Sequence, residues 1–405
     1  MVQQAGMVHC LRRAEWLTRE RAKAYCCILA VMTAPISVAW VGTAFLHNGM
    51  DFGGRPIAPD FAPYWTAAKI ALSDNPSAAY DPDMHYARER ELFGGGPLNG
   101  STPFVYPPLF LLICLPLAML PYPMALAVWF GLTCAGYWRS MRAIWPRKGL
   151  ALPVLVYPGL LINVLNGQNG LLSASLFAAA TLQLDRRPII AGACFGCLAY
   201  KPHLGIAIPF ALLLYREWSA IFAGAATVIL FLLASFLVLD PAVWPAFLLA
   251  SSLARTLLEQ GLAGPHRMVS VFAAAQLWHA PAAAAYVAQL ASGLGALAAL
   301  AVAPRELAPL ARGAAICAAA PLISPYLFDY DLAILAVPIA WVVRQAEADG
   351  GFLPWEKVVL FAAFVLPLLA RPVATHFALP IGPAITASLF FVVLRRAATR
   401  QEAVP

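Results

Sequence analysis

A carboxylate beside an aromatic segment, in the stretch Pro59-Asp60-Phe61-Ala62-Pro63-Tyr64-Trp65, is the group in this chain best suited to move a proton. Asp60 is either a general base that takes a proton from an acceptor hydroxyl or simply the N-cap of the helix that follows. Asp51, beside Gly53-Gly54, offers a second acid. Cations recur further along, as Lys201 with His203, Arg267 with His266, and Arg371 with His376. A lysine between two apolar half-helices is costly unless it faces water or an anion. Lys201 and His203 therefore hold a phosphate, or Lys201 snorkels to the interface. Several cation sites and a lone acid suit an anionic lipid headgroup better than a neutral solute. Asn166, Gln168 and Asn169 cap an Asn-Gly turn or give amide contacts to a hydroxyl-rich ligand. Asp329 and Asp331 open an apolar run, where the helix dipole favours acids, or they ligand a sugar or a cation. Asp51, Tyr64, Tyr106, Asn166, Gln168, Asn169, Tyr326, Asp331 and His376 make up the substrate-binding candidates.

The elements that position these groups lie in lipid. Of 405 residues, 61% are hydrophobic and 12% charged, against roughly 45–50% and 25% in soluble domains. The mean hydropathy of +0.73 agrees. Apolar segments run from end to end, so one integral membrane domain over residues 1–405 is expected, with no soluble domain attached. The net charge is +7, but the basic residues cluster at the ends of apolar runs. That is a topology signal, and it excludes nucleic acid as the partner. The cysteines fall mostly inside apolar runs, and Cys194-Phe195-Gly196-Cys197 has no second pair, so small buried residues are the better reading than a redox or metal site. The histidines lack zinc spacing. No Walker pattern is present, which argues against a nucleotide as direct substrate or fuel.

Arg12, Arg13, Arg19, Arg21 and Lys23 precede the first apolar run, residues 25–46, which reads as a retained first helix. The positive-inside rule then puts both termini in the cytoplasm and residues 47–103 outside. Basic clusters at Arg139/Arg142/Arg147/Lys148, Arg186/Arg187, Arg216, Arg305, Arg344 and Arg395/Arg396/Arg400 fall inside. The count is roughly 11–13 spans, with one full span and one short or re-entrant piece in residues 107–137. The loop 47–103, the turns at 166–169, 201–203 and 324–331, and the stretches 239–280 and 371–380 then share the outer face. Within the first loop, residues 61–72 read as a short amphipathic helix lying on the membrane. Asp60 would be its N-cap, with Tyr64 and Trp65 as interfacial anchors. A second short helix is expected at 82–93, followed by the breaker Gly94-Gly95-Gly96-Pro97.

An ordered series of short motifs carries a resemblance. It comprises Asp60-Phe61-Ala62-Pro63-Tyr64-Trp65-Thr66-Ala67-Ala68, Ala79-Tyr80-Asp81, Phe104-Val105-Tyr106-Pro107-Pro108 and Pro116-Leu117-Ala118-Met119-Leu120-Pro121. Asn166-Gly167-Gln168-Asn169, Ala191-Gly192 through Lys201-Pro202, Ser324-Pro325-Tyr326 and Tyr330-Asp331-Leu332 continue it. Over residues 25–345 the chain resembles glycosyltransferase family 87, the polyprenol-phosphate-mannose-dependent mannosyltransferase-like membrane proteins of the GT-C class. The resemblance implies an all-α, GT-C-like polytopic bundle with short juxtamembrane helices in the first external loop. It implies transfer of a sugar, mannose being the family's best-known one, from a polyprenyl monophosphate to a lipid or glycan acceptor outside the cytoplasmic membrane. It also implies inversion at the anomeric carbon, and Asp60 matches the position of the family's catalytic base. Lys201, His203, Arg267 and Arg371 would face the donor phosphate. No cofactor is expected. A divalent metal, which some GT-C enzymes use, is not predicted from so few clustered carboxylates. The competing readings are a secondary transporter or flippase for a lipid-linked or polar solute, and a non-catalytic scaffold in envelope assembly.

Overall fold

Proline and glycine cut the apolar runs into helices of very unequal length. We describe residues 10–47, 49–51, 53–98, 102–303 and 307–399 of a computed structural model. Arg305 and Arg400 of the basic series lie outside them. Among the described residues there is no strand, only isolated β-bridges at Met50–Pro56 and Met268–Phe328. Five helices are long and apolar enough to cross a membrane: Arg19–Trp40, Trp218–Val238, Ala282–Val302, Glu356–Phe377 and Ile381–Thr399. The pair Pro108–Ala118 and Tyr122–Ile144, bent by 119°, makes a sixth if counted as one span. The chain is an all-α multi-pass membrane protein.

The other apolar helices, such as Gly170–Gln183, Pro188–Tyr200 and Pro309–Ile323, have only 10–17 residues. At 1.5 Å per residue a 14-residue helix rises ~21 Å, short of a ~30 Å hydrocarbon core. Of the roughly 11–13 spans expected, five or six among the described residues are long and apolar enough to cross alone. Breaks at Gly167, Pro188 and Pro202 turn apolar sequence into half-length helices, whose irregular joints are tolerated where protein surrounds them.

Small residues set the core. From Gly313 to Ile323 the helix Pro309–Ile323 is buried at every residue, and a methyl group on Gly313 would lie 2.5 Å from the Thr181 hydroxyl oxygen. Helix Pro188–Cys197 packs against Trp218–Val238 the same way. A methyl on Gly192 would come within 2.2 Å of the Ala220 carbonyl oxygen, and one on Gly196 within 2.6 Å of that of Gly224. Backbone-to-backbone approach through small residues is the usual adhesive of helices in lipid, and Cys194 and Cys197 are half-buried free thiols elsewhere on the same helix. Gly196→Val should therefore lower the thermal midpoint of the detergent-solubilised protein, at a cost of about 1–3 kcal/mol or more. Gly205→Ala, which meets nothing within 4 Å, should leave it unchanged.

The first loop departs from expectation. Its helix, Ala62–Ala71, buries eight of its ten residues and does not lie on a membrane surface. Tyr64 and Trp65 are core residues at 2% and 5% exposure. Trp65 Nε1 donates to the Leu120 carbonyl at 3.1 Å, and the Tyr122 hydroxyl donates to the Ile57 carbonyl. Ala67 and Ala68 let the helix sink against Pro108–Ala118. The second loop helix is Pro82–Leu92, capped by the Asp81 carboxylate on the amides of Asp83 and Met84.

One end of the bundle is tied by charge. Glu347 accepts from Trp145 Nε1 at 2.8 Å and from Arg147. Arg344 donates to the Ile144 carbonyl at 2.9 Å. Arg396 is clamped by Glu356, at 2.6 and 2.8 Å, and by Asp349 at 2.9 Å.

Candidate functional site

Asp60 is placed by a glycine turn. Gly167 ends helix Pro158–Asn166 in the left-handed region, at φ 78°, a conformation glycine adopts without penalty. A side chain there would also strike Phe61 Cβ at 2.5 Å and Ala58 Cβ at 2.7 Å. The close approach lets the Asp60 amide donate to the Asn166 carbonyl at 2.9 Å. Ala58, fully buried, also has positive φ, 58°. Such strain persists where the surroundings over-determine it, and here the Tyr122 hydroxyl reaches the Ile57 and Ala58 carbonyls.

The Asp60 side chain does not cap the helix after it, since Phe61 occupies the cap position without a side-chain bond. Its Oδ2 instead accepts from Gln168 Nε2 at 3.0 Å. The Gln168 Oε1 accepts from the Tyr64 hydroxyl at 2.7 Å, and the Tyr106 hydroxyl lies 3.0 Å from that of Tyr64. Because the tyrosines donate toward one end of this amide, its other end must donate to the carboxylate. Asp60 Oδ1 has no hydrogen-bond partner among the described residues. Burial pushes the Asp60 carboxyl above the ordinary carboxylate value, while Gln168, Arg267, Lys201 and Arg371 pull it back.

Lys201 is differently placed from expectation. It is 2% exposed, and Nζ donates to Asp331 Oδ1 at 2.5 Å and to Asn169 Oδ1 at 2.7 Å. It also sits 5.0 Å from the Tyr330 ring centre and 5.9 Å from that of Tyr106. Asp331, fully buried, accepts the Phe328 amide on Oδ2 at 3.0 Å. The lysine neither snorkels nor offers an unpaired charge to a phosphate, and Asp331 is a brace rather than an open ligand. His203 lies within the fields of both, with its Nε2 enclosed and unpartnered.

Two arginines remain uncommitted. The bridge between Met268 and Phe328, with the Val269 amide on the Leu327 carbonyl at 2.8 Å, sets Arg267 beside Asp329. Arg371 reaches the same place from helix Glu356–Phe377, which packs on the turn carrying Arg267. Both act electrostatically on Asp60 and on Asp329. Together they help to hold His266 below its ordinary value, after burial. Neither guanidinium makes an ion pair or hydrogen bond among the described residues.

The structure thus brings together Asp60, Tyr64, Tyr106, Gln168, Asn169, Lys201 and Asp331 by direct contact, with Arg267, Arg371 and His203 around them. Other candidates stand apart. Asp51 closes its own turn on the amides of Gly53 and Arg55, both at 2.8 Å. The Asn166 side chain returns to the Ile162 carbonyl at 2.8 Å. Tyr326 bonds Tyr286 and lies 6.4 Å from the His203 ring. His376 is exposed in the last turn of its helix, outside the cluster's contacts. Tyr330 was not singled out from the sequence, and Asp329 was weighed there as a sugar or cation ligand without entering the candidate list. Their signal was their place in Ser324-Pro325-Tyr326-Leu327-Phe328-Asp329-Tyr330-Asp331, beside a residue already chosen. Among the described residues no group of three or more His, Cys, Asp or Glu is placed to hold a metal ion.

The sequence model described as glycosyltransferase family 87 matches residues 104–325 of this chain. No curated protein and no solved structure matches it.

Proposed function

The chain belongs to glycosyltransferase family 87 and is a membrane glycosyltransferase, and from that premise we propose that it takes a hexose such as mannose from a polyprenyl phosphate and passes it to a lipid or glycan hydroxyl, with inversion. One observation carries this reading. A carboxylate with one oxygen unpartnered among the described residues shares its surroundings with two guanidiniums that make no ion pair or hydrogen bond among them.

Asp60 Oδ1 takes the proton of the acceptor hydroxyl as that oxygen attacks C1 of the sugar. The new C1–O bond forms on the face opposite the phosphate. The old C1–O bond breaks, and its electron pair leaves on the polyprenyl phosphate. Arg267 and Arg371 stabilise the charge that grows on the departing phosphate oxygen. Gln168 holds the base by its other oxygen. Lys201 does not meet the phosphate. It fixes Asn169 and the Phe328–Asp331 turn that carries the walls of the site. Lipid around the half-length helices accommodates the prenyl chain. The basic end of the bundle, with Arg147, Arg344 and Arg396, belongs to the cytoplasm by the positive-inside rule, so the site is assigned to the outer face of the cytoplasmic membrane.

The test is transfer in membranes supplied with radiolabelled polyprenyl-phosphate hexoses or, in parallel, nucleotide hexoses. Label should enter a lipid or glycan product only from the polyprenyl donors, with the anomeric configuration reversed. Direct transfer from a nucleotide sugar, or retained configuration, would overturn the reading.

Gln168→Leu gives a more local check. Asp60 works deprotonated, so the rate falls as pH drops through its titration. The bond from Gln168 favours the charged form, and removing it moves the acid limb of the pH–kcat profile upward. A drop in kcat of about 5- to 10-fold is expected beside that shift. An unmoved acid limb would remove Gln168 from contact with the base.

A further inference from the structure

Asp329 is buried, at 8% exposure, in a place where burial of a carboxylate is unfavourable without compensation. Its Oδ1 accepts the amide of Tyr330, its neighbour, at 2.9 Å, and Oδ2 has no hydrogen-bond partner among the described residues. Asp331, two residues on, has its two oxygens occupied by Lys201 and the Phe328 amide. The two acids of this turn therefore do different things, although in sequence they look equivalent.

The two arginines that act on Asp60 also act on Asp329. Arg371 acts on it first and Arg267 next, whereas Arg267 leads at Asp60. Both carboxylates also act on the Tyr330 hydroxyl, after Tyr106 and Asp331. The arginine pair is thus flanked by two acids and ion-paired to neither. Burial pushes Asp329 up to about 6, with Arg371, the Tyr330 amide and Arg267 opposing.

A carboxylate beside a phosphate site repels the phosphate, so its favourable partner there is a neutral donor of hydrogen bonds. The group covalently attached to a donor phosphate is a sugar ring rich in hydroxyls. We propose that Asp329 is a specificity residue that accepts a hydrogen bond from a ring hydroxyl of the transferred sugar while Arg267 and Arg371 hold its phosphate. This rests on the donor reading given above. It separates the sugar-recognising acid, Asp329, from the proton-accepting one, Asp60, and assigns Asp331 to neither.

The experiment compares Asp329→Asn with the unmodified protein, using a polyprenyl-phosphate hexose and its monodeoxy analogues. A hydrogen bond to a charged group is worth about 1.5–3 kcal/mol, so kcat/KM for the full hexose should fall roughly 10- to 100-fold. For one monodeoxy donor the penalty should shrink below about 3-fold, because that donor lacks the hydroxyl concerned. Equal loss with every analogue, or no loss, would overturn the assignment. Should Asp329→Asn not accumulate, the unmodified protein still decides. It must discriminate against one monodeoxy donor by a similar factor, and uniform use of all of them counts against Asp329. Wild-type protein that transfers nothing from any polyprenyl phosphate sinks the underlying reading and this inference with it. Failure of Asp329 alone leaves wild-type transfer intact.

Discussion

Asp60→Asn is expected to slow sugar transfer roughly 100- to 10,000-fold, the contribution of a positioned general base, while the protein should insert and melt as the wild type does. Asparagine keeps the volume, and its amide oxygen can still accept from Gln168 Nε2. What it cannot do is take a proton. The control follows from the fold. Asp60 caps no helix and pairs with no cation directly, so removing its charge breaks no ion pair. Asp51→Asn should transfer normally, because Asp51 is occupied with its own turn. Activity is read with a labelled polyprenyl-phosphate hexose and folding by a thermal melt in detergent. An active Asp60→Asn protein would move the base elsewhere. Loss of activity together with loss of folding would reduce Asp60 to a structural residue.

Lys201→Met is expected to be the most destabilising single change in the site. It leaves Asp331, at 0% exposure, as an unpaired buried charge, and breaking a buried ion pair from one side costs about 3–5 kcal/mol. The midpoint of unfolding should drop steeply and transfer with it. Replacing both partners by apolar residues is often neutral, so Lys201→Met with Asp331→Leu should recover most of the lost stability. On the present reading transfer returns at least in part, since Lys201 serves the site by holding Asn169 and the turn at residues 328–331. A double variant that melts like the wild type but transfers nothing would give the ammonium back to the donor phosphate.

Much of the architecture was readable without coordinates. A 61% hydrophobic composition with basic residues at the ends of apolar runs leaves little but a helical membrane protein. The order of the short motifs pointed to the family. The length of each helix was less legible. Apolar runs look alike whether they cross lipid or stop at Gly167 or Pro202, and only folding shows how short pieces such as Pro188–Tyr200 and Pro202–Leu214 are. Tyr64 and Trp65 were misplaced for a related reason. Aromatic residues beside a charge favour an interface, but they favour a core equally when small residues let the helix sink.

The sequence determined, by itself, which groups were available: two candidate acids in the first loop, Asp51 and Asp60, a few cations and a lysine flanked by apolar residues. Tertiary structure decided which of them remain free. Lys201 and Asp331 are 130 positions apart, and no local pattern records that they meet at 2.5 Å and neutralise each other. Gln168 and Asp60 are joined across 108 positions by the same kind of closure. The strength of a charge is set by what lies within a few ångströms of it and by the water it has lost. Those distances belong to the packed chain, so only folding separated Arg267, Arg371 and Asp329, which keep unpaired atoms among the described residues, from Lys201 and Asp331, which do not.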